Sequence, residues 1–552
     1  MTKYLIALFI LYMAIYLVPL GGRPLITPDE YRYAEIPREM IESGDWITPK
    51  LLGVRYFEKP VMGHWLNAVS LLLFGENSFA IRFASAISTG LSALLLWMLA
   101  RRFSNDAETA WLAAGIFLTS GLVYFVGTFA VLDSPTTMFI TGAMVCFFFA
   151  VSEEKWSRFK FISLSMFGVF CGLAFLTKGF LAFAVPFVTI IPYMFWEKRW
   201  KELFVLPWIP MLAALLVSLP WALAIHFRES DYWHYFFVVE HIQRIFGNSG
   251  TQHPSPFWLY FPILLGGLLP WAVFLPCSYI GLRKSKSSFS AGPLLRFAIC
   301  WVVFPLLLFS ASSGKLATYI LPCFPPLAII IAITLITYFR TGGSKMFNGI
   351  CRFLAWTMFI GAPGFATYQI LSEFNMLPGL YSPAERWKWI LAVLAALIWA
   401  AGFFAAWRCP KYRLKLALLV FSPVFVFIIA NYSAPTRILE SKAQGLFLAK
   451  FRERVKPDTV VLTHPNVMHA AAWEFRKSNL LLFQHGGELE YGLNYPDAKG
   501  RIINEKQLLE MIKNAPKGKF IFIMRGDYRE NIPQSVNIPF ESYDHEIMFS
   551  NF

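Results

Sequence analysis

The chain has 552 residues, of which 57% are hydrophobic, 17% aromatic and only 15% charged, against about 25% charged in an ordinary soluble protein. That excludes a soluble enzyme, and domain counting from length does not apply, because the apolar residues fall in runs of the roughly 20 residues that cross a bilayer. Lysine and arginine number 49 against 34 acids, a net charge of +15, which in a membrane chain reports topology first and is compatible with anionic lipid or phosphate partners rather than nucleic acid.

Thirteen apolar runs follow in chain order, near residues 4–20, 79–100, 108–128, 134–151, 161–177, 180–196, 203–226, 257–282, 293–312, 317–338, 347–371, 388–407 and 414–431. The first has a thin basic flank, Lys3, and ends in Pro19-Leu20-Gly21-Gly22, a poor cleavage site, so it reads as an uncleaved span. With the N-terminus in the cytoplasm, the loops on that side carry Arg101-Arg102, Lys155/Arg158/Lys160, Lys198/Arg199/Lys201, Arg283/Lys284/Lys286, Arg340/Lys345 and Arg408/Lys411/Arg413. The opposite short loops hold no more than Lys178 or Lys315 each, and this alternation sets the orientation.

The expected fold is therefore a polytopic α-helical membrane protein of about thirteen transmembrane helices with a C-terminal α/β domain. Residues 1–432 form the membrane domain, with outer loops 21–78 and 227–256, and residues 433–552 form an outer tail. In the tail, β-prone runs at Thr459–Thr463, Leu480–Phe483 and Phe520–Met524 alternate with helical stretches at Asn466–Ser478 and Glu505–Lys513. The seven cysteines lie in apolar runs or a short basic loop without a CxxC pair, so neither a disulfide framework nor a zinc motif is expected.

Transporters place ionisable groups at mid-membrane, but the middles of these spans are almost free of charge. The unusual polar residues gather at outer span ends and outer loops: Asp29, Glu30, Arg32, Glu58, Lys59, Asp133, Lys178, Arg244, Lys315 and Tyr319. In Thr27-Pro28-Asp29-Glu30-Tyr31-Arg32-Tyr33, Thr27 is expected to cap a helix whose first turn carries two acids and whose one face carries Asp29, Arg32 and Tyr33. Those acids would serve equally to complement the helix dipole and pair with Arg32 and Arg38. Tyr56-Phe57-Glu58-Lys59-Pro60 sets a charged pair among aromatics, which is also how a snorkelling interfacial belt looks. Asp133 reads either as a functional carboxylate held near the membrane surface or as the N-cap of the fourth span. Lys178, Arg244, Lys315 and Tyr319 would together suit one or two phosphates, and singly would be ordinary helix-end anchors. Glu58 with His241 is the one pair suited to a divalent metal, although no metal-binding spacing supports it.

The segments Pro28-Asp29-Glu30-Tyr31-Arg32-Tyr33-Ala34-Glu35-Ile36, Leu52 to Pro60, Trp233 to Arg244 and Gly487 to Arg501 resemble the GT-C glycosyltransferases, which use polyprenyl-phosphate sugars, and among them the aminoarabinose transferases of Gram-negative bacteria. The run Tyr491-Gly492-Leu493-Asn494-Tyr495-Pro496-Asp497-Ala498-Lys499-Gly500-Arg501 is the most discriminating part. The resemblance implies transfer of 4-amino-4-deoxy-L-arabinose from undecaprenyl phosphate to a lipid A phosphate on the periplasmic side of the inner membrane, by a monomer needing no cofactor. It implies catalytic roles for Asp29, Asp133 and Lys59, and substrate binding by Arg32, Tyr56, Lys178, Arg244, Lys315 and Tyr319. Other readings are a GT-C enzyme with another sugar or a hydroxyl acceptor, a polyprenyl-lipid flippase, or a non-catalytic sensor.

Overall fold

A computed structural model describes residues 2–104, 106–243, 255–284, 292–514, 516, 518–526, 541–543 and 547–551. The chain packs as two compact units, one of residues 1–20, 82–379 and 386–433 and the other of residues 21–81, 380–385 and 434–552. The first loop thus groups by packing with the tail, although the sequence reading counted it with the spans.

Among the described residues the regular structure of the first unit is almost entirely helical, as suits a setting where lipid offers no partner to backbone N–H and C=O groups. Helices stand at each of the thirteen apolar runs. Among the described residues nine are long and apolar enough to cross a membrane, and eleven if each of two bent pairs counts as one span. Lys3–Leu17 and Leu181–Trp196 are apolar but shorter.

The two bent pairs, Ala107–Leu118 with Gly121–Gly127 and Phe257–Gly267 with Trp271–Lys284, turn by 63° and 92° where the sequence suggests single spans. The breaks satisfy each other. The Gly121 N–H donates to the Leu269 carbonyl at 2.9 Å, and Trp271 Nε1 donates to Thr119 Oγ1 at 2.9 Å. Thr119 and Ser120 hydroxyls donate back to Gly115 and Ile116 carbonyls, so the backbone groups freed by the breaks still find partners inside protein.

Close helix packing rests on small residues. Gly168 and Gly172, one turn apart on Arg158–Lys178, face Trp208–Arg228 so tightly that a Cβ on Gly168 would lie 2.1 Å from the Pro210 carbonyl oxygen, and one on Gly172 2.9 Å from that of Ala214. This is the backbone approach that a small-xxx-small pattern permits in lipid. At the basic helix ends, Arg340 pairs with Asp106 and Glu108 at 2.6 and 3.0 Å, and Arg296 with Glu197 at 2.5 Å.

The second unit is an α/β body. Strands β1 (Lys50–Leu51) and β2 (Val54–Arg55) make a small antiparallel hairpin in the first loop. The tail supplies β3 (Val460–Thr463), β4 (Leu481–Phe483), β5 (Ile502–Ile503), β6 (Phe520–Arg525), β7 (Glu541–Tyr543) and β8 (Ile547–Asn551) in the sheet order β5-β4-β3-β6-β8-β7. The first four are parallel and the last two antiparallel. The three β-prone runs and both helical stretches read from the sequence are present, the helices spanning Met468–Phe475 and Glu505–Asn514. The short β5 and the C-terminal pair were not foreseen. Leu462, Phe483, Leu508, Phe520 and Phe522 close the core.

The first-loop helix, Asp29–Ser43, is buried along most of its length despite its many charges. Arg38 compensates Glu35 at 2.5 Å and Glu42 at 2.7 Å. Glu39, one turn beyond Glu35, accepts the Gly53 N–H at 2.8 Å and so ties the helix to the hairpin. Burial, and then the neighbouring Glu35, hold the Glu39 carboxyl well above the ordinary carboxylate range.

Two outcomes follow from this packing. Gly168→Val forces the helices apart and lowers the melting temperature of the purified protein in detergent, a cost of about 1–3 kcal/mol or more, whereas Gly349→Ala, with open space around its Cβ, leaves it unchanged. For Glu39 the folded state binds its proton more tightly than the unfolded state, so stability present below the unfolded value near 4.5 is lost as pH rises through the folded value. Proteolytic susceptibility of the loop and tail therefore increases from acid to neutral pH, and Glu39→Gln flattens that rise.

Candidate active site

The helix Asp29–Ser43 presents its first charged residues to the tail. Thr27 does not cap it as the sequence suggests: Pro28 occupies the N-cap position without a side-chain bond, and the Thr27 hydroxyl donates instead to Gln444 Oε1 at 3.3 Å. The first turn is held by Glu30, which accepts the Ile26 N–H at 3.0 Å and pairs with Arg23 at 2.7 Å. The local pair expected of Asp29 is present, Arg32 Nη1 donating to Asp29 Oδ1 at 2.9 Å.

Arg32 does more than pair locally. Its Nε donates to Glu488 Oε1 at 2.9 Å and its Nη2 lies 2.6 Å from Glu488 Oε2, a two-pronged grip across 456 residues of sequence. His469 Nε2 lies 2.6 Å from the same Glu488 Oε1. Burial alone would raise the Glu488 carboxyl, but Arg32 and then His469 outweigh it and hold the group well below the ordinary range. Burial opposes the charge on Arg32 too, and Glu488, with Tyr56, Tyr33 and Asp29, more than restores it. Asp29 keeps 43% of its side chain exposed.

The hairpin leads into the second charged segment. The Tyr56 hydroxyl donates to Glu58 Oε2 at 3.1 Å, and Lys59 Nζ donates to the Glu58 carbonyl at 3.0 Å. Five residues on, at the start of the helix Met62–Phe74, His64 is fully buried with neither ring nitrogen hydrogen bonded, its ring 5.9 Å from that of Tyr33. Burial, then the positive charges of Lys59 and Arg32, push its pKa down to about 3, so it is neutral at physiological pH.

In the helical unit, Asp133 opens the helix Asp133–Ser152 from inside its first turn. Leu132 holds the N-cap position without a side-chain bond, so Asp133 is not the cap. Its Oδ1 lies 2.5 Å from Nζ of Lys178, the last residue of Arg158–Lys178, and each side chain is 12% exposed. The acid sits at a positive helix end and the base at a negative one, so both dipoles favour the pair. The Lys178 ammonium also stands 4.6 Å over the Tyr319 ring. Lys315 is directed elsewhere: its Nζ donates to the carbonyls of Ser255, at 2.9 Å, and Ser312, clamping two loops.

Asp29, Arg32, Tyr56, Glu58 and Lys59 thus belong to the loop and tail unit, and Asp133, Lys178, Lys315 and Tyr319 to the helical unit. Arg244 lies outside the described residues, as does the side chain of His241, whose backbone lies in the last turn of the helix Tyr235–Gln243. Among the described residues no three His, Cys, Asp or Glu side chains gather as a metal site, and one Glu58 oxygen already accepts from Tyr56. Sequence reasoning missed Glu488, His469 and His64. Glu488 stands in a segment it had singled out without assigning it a role, and a lone histidine just past Lys59 was the only mark of His64.

A polytopic helical chain with acids on its first loop and an α/β tail is the arrangement of the GT-C glycosyltransferases. The structure superposes with a TM-score of 0.82 on ArnT from Cupriavidus metallidurans bound to undecaprenyl phosphate, covering 100% of this chain and 98% of that one at 21% identity. The Archaeoglobus fulgidus oligosaccharyltransferase AglB gives 0.53 at 12% identity over 95% and 70%. Both likenesses concern the fold. Residues 1–236 match the dolichyl-phosphate-mannose-protein mannosyltransferase family and residues 439–549 the C-terminal domain of arabinosyl transferase ArnT. The undecaprenyl phosphate-alpha-4-amino-4-deoxy-L-arabinose arabinosyl transferase of Shewanella sediminis is 40% identical over 95% of this chain and 94% of its own, and that of Erwinia tasmaniensis 39% over 98% and 97%. The chain belongs to this family of transferases.

The Asp133–Lys178 pair separates a structural from a chemical role. Removing either charge strands the other, a cost of up to about 3–5 kcal/mol if the pair behaves as fully buried and less at its partial exposure. Asp133→Asn and Lys178→Met therefore each lower the folded yield and the melting temperature, and the double variant Asp133→Asn/Lys178→Met regains both. Sugar transfer stays lost in the double variant.

Proposed function

We propose that this protein transfers 4-amino-4-deoxy-L-arabinose from undecaprenyl phosphate to a lipid A phosphate on the periplasmic side of the bacterial inner membrane. The observation that carries this reading is the near full-length identity of about 40% to transferases named for that donor. The tail favours it over a protein mannosyltransferase, because the mannosyltransferase family covers residues 1–236 whereas residues 439–549 match the arabinosyl transferase tail. The added amine makes lipid A less anionic, which weakens attraction of cationic peptides such as polymyxin.

The donor brings its own leaving group. A phosphate ester departs without a general acid if cations take up the developing charge, and Lys59 and Arg244 are assigned to it, the arginine by a bidentate grip. Lys178 meets a phosphate only by sharing itself with Asp133, so the pair orients the substrate rather than offering a bare charge. Lys315, with its ammonium turned to carbonyls, supports the loop that precedes Tyr319. The acceptor phosphate is already ionised near neutral pH, so no base is needed to deprotonate it. Asp29, with one oxygen on Arg32, is assigned to the donor's ammonium or to the positive character growing at the sugar carbon. Glu58 and His241 carry donor groups suited to a divalent metal, and no step requires one.

The test is mass spectrometry of lipid A after incubation with purified protein and undecaprenyl phosphate-aminoarabinose. A pentosamine increment on lipid A is expected, reduced about a hundredfold or more in Lys59→Ala and Asp29→Asn. Transfer to hydroxyl peptides with none to lipid A, or transfer of a different polyprenyl-linked sugar, would replace this reading with another GT-C activity.

A further inference from the structure

The segment Gly487 to Arg501 is the most distinctive run in the sequence, yet the reaction just described gives it nothing to do. The structure places it against both stretches of the first loop that carry the charged residues. At one end Glu488 holds Arg32 by two prongs, at 2.9 and 2.6 Å, and Arg32 holds Asp29 at 2.9 Å. Behind Glu488 stands His469 at 2.6 Å, itself only 4% exposed. At the other end the segment grips the hairpin that leads to Glu58 and Lys59. Asp497 pairs with Arg55 at 2.7 Å, Arg501 donates to the Leu52 carbonyl at 2.8 Å, and a Cβ on Gly492 would lie 2.4 Å from the Arg55 carbonyl oxygen.

We propose that Glu488, backed by His469, is a positioning residue for the transfer reaction: it fixes the Arg32 guanidinium so that Arg32 fixes the Asp29 carboxylate. The inference rests on the proposed reading in that Asp29 and Arg32 belong to the reacting centre. The physical argument is one of degrees of freedom. An arginine side chain has several rotatable bonds, and a single contact to a 43% exposed aspartate would leave both side chains to wander. A second carboxylate, buried and gripping two other nitrogens of the same planar fork, removes that freedom, and the planar geometry carries the constraint through to Asp29. Neither the tail segment nor the first loop holds Asp29 alone.

The role predicts a loss in turnover rather than in binding. Glu488→Gln keeps the size and one acceptor but loses the charge, and its kcat falls on the order of tenfold to a hundredfold while KM for the lipid-linked donor changes less than about threefold; the melting temperature also falls, because the Arg32 guanidinium loses a largely buried counter-charge. Because Glu488 acts through Asp29, adding Glu488→Gln to Asp29→Asn costs little more, the non-additivity expected of residues in one network. Asp458→Asn, in an exposed ion pair with Lys519 elsewhere in the tail, serves as the neutral control. A readout without turnover accompanies these: phenylglyoxal labelling of Arg32, followed by mass spectrometry, runs several-fold faster in Glu488→Gln because the guanidinium is released. If Glu488→Gln does not fold, His469→Gln takes its place, with a smaller loss in kcat and the same unchanged KM. Unchanged kcat with unchanged labelling, or a rise in KM alone, overturns the inference. If the wild type transfers no aminoarabinose, the functional reading fails, and the labelling rate still decides whether Glu488 holds Arg32.

Discussion

A guanidinium or ammonium drawn out of bulk water must take a counter-charge with it, because its desolvation otherwise costs several kcal/mol. In this protein that constraint decides which side chains sit together. Arg38 goes into its helix face with Glu35, Arg23 closes on Glu30, Lys178 meets Asp133, and Arg32 is shared between Asp29 and Glu488. Each pairing fixes a backbone element as well as a charge. The one on Arg32 joins the first loop to the tail, which pack together in one unit, beside the apolar residues Tyr31, Ala34, Ile36 and Met40 that the same helix buries.

The same constraint explains why the polar chemistry keeps to helix ends. A carboxylate at the start of Asp133–Ser152 and a lysine at the end of Arg158–Lys178 gain from their helix dipoles as well as from each other. Within the spans the chain has no such option. It satisfies its backbone by helix, and where two helices break it lets one break donate to the other, as Gly121 does to Leu269.

Much of this was legible in the sequence, and the division follows the range of the interaction. Apolar runs of span length and the alternation of basic loops are local patterns, and each of the thirteen runs carries a helix. The three main tail strands and their two helices likewise follow from local alternation. What failed was local inference about groups whose partners lie far away. Thr27 has the residue type and spacing of a cap but bonds to Gln444, 417 residues on. The backbone carbonyls to which Lys315 donates are likewise partners that no side-chain pattern reveals. The bends at Ser120-Gly121 and before Pro270 had breaker residues to mark them, but the long apolar runs outweighed that signal.

Glu488 is the instructive case, because its segment was noticed for what it resembled and not for what it touched. A run with three glycines, two tyrosines and one proline among scattered charges reads as a surface loop, and nothing near it in sequence asks for a carboxylate. The need lies on the other partner: Arg32 has five N–H groups, and Asp29 at three residues' distance can occupy only part of them. An arginine one turn into a helix with a single local acid is therefore itself a signal that a second, distant acid is owed to it. Arg38 meets the same need with Glu35 and Glu42 on its own helix, and so asks nothing of the tail. The difference between these two arginines is set by which face of the helix each occupies, and it is the Arg32 face that carries Asp29.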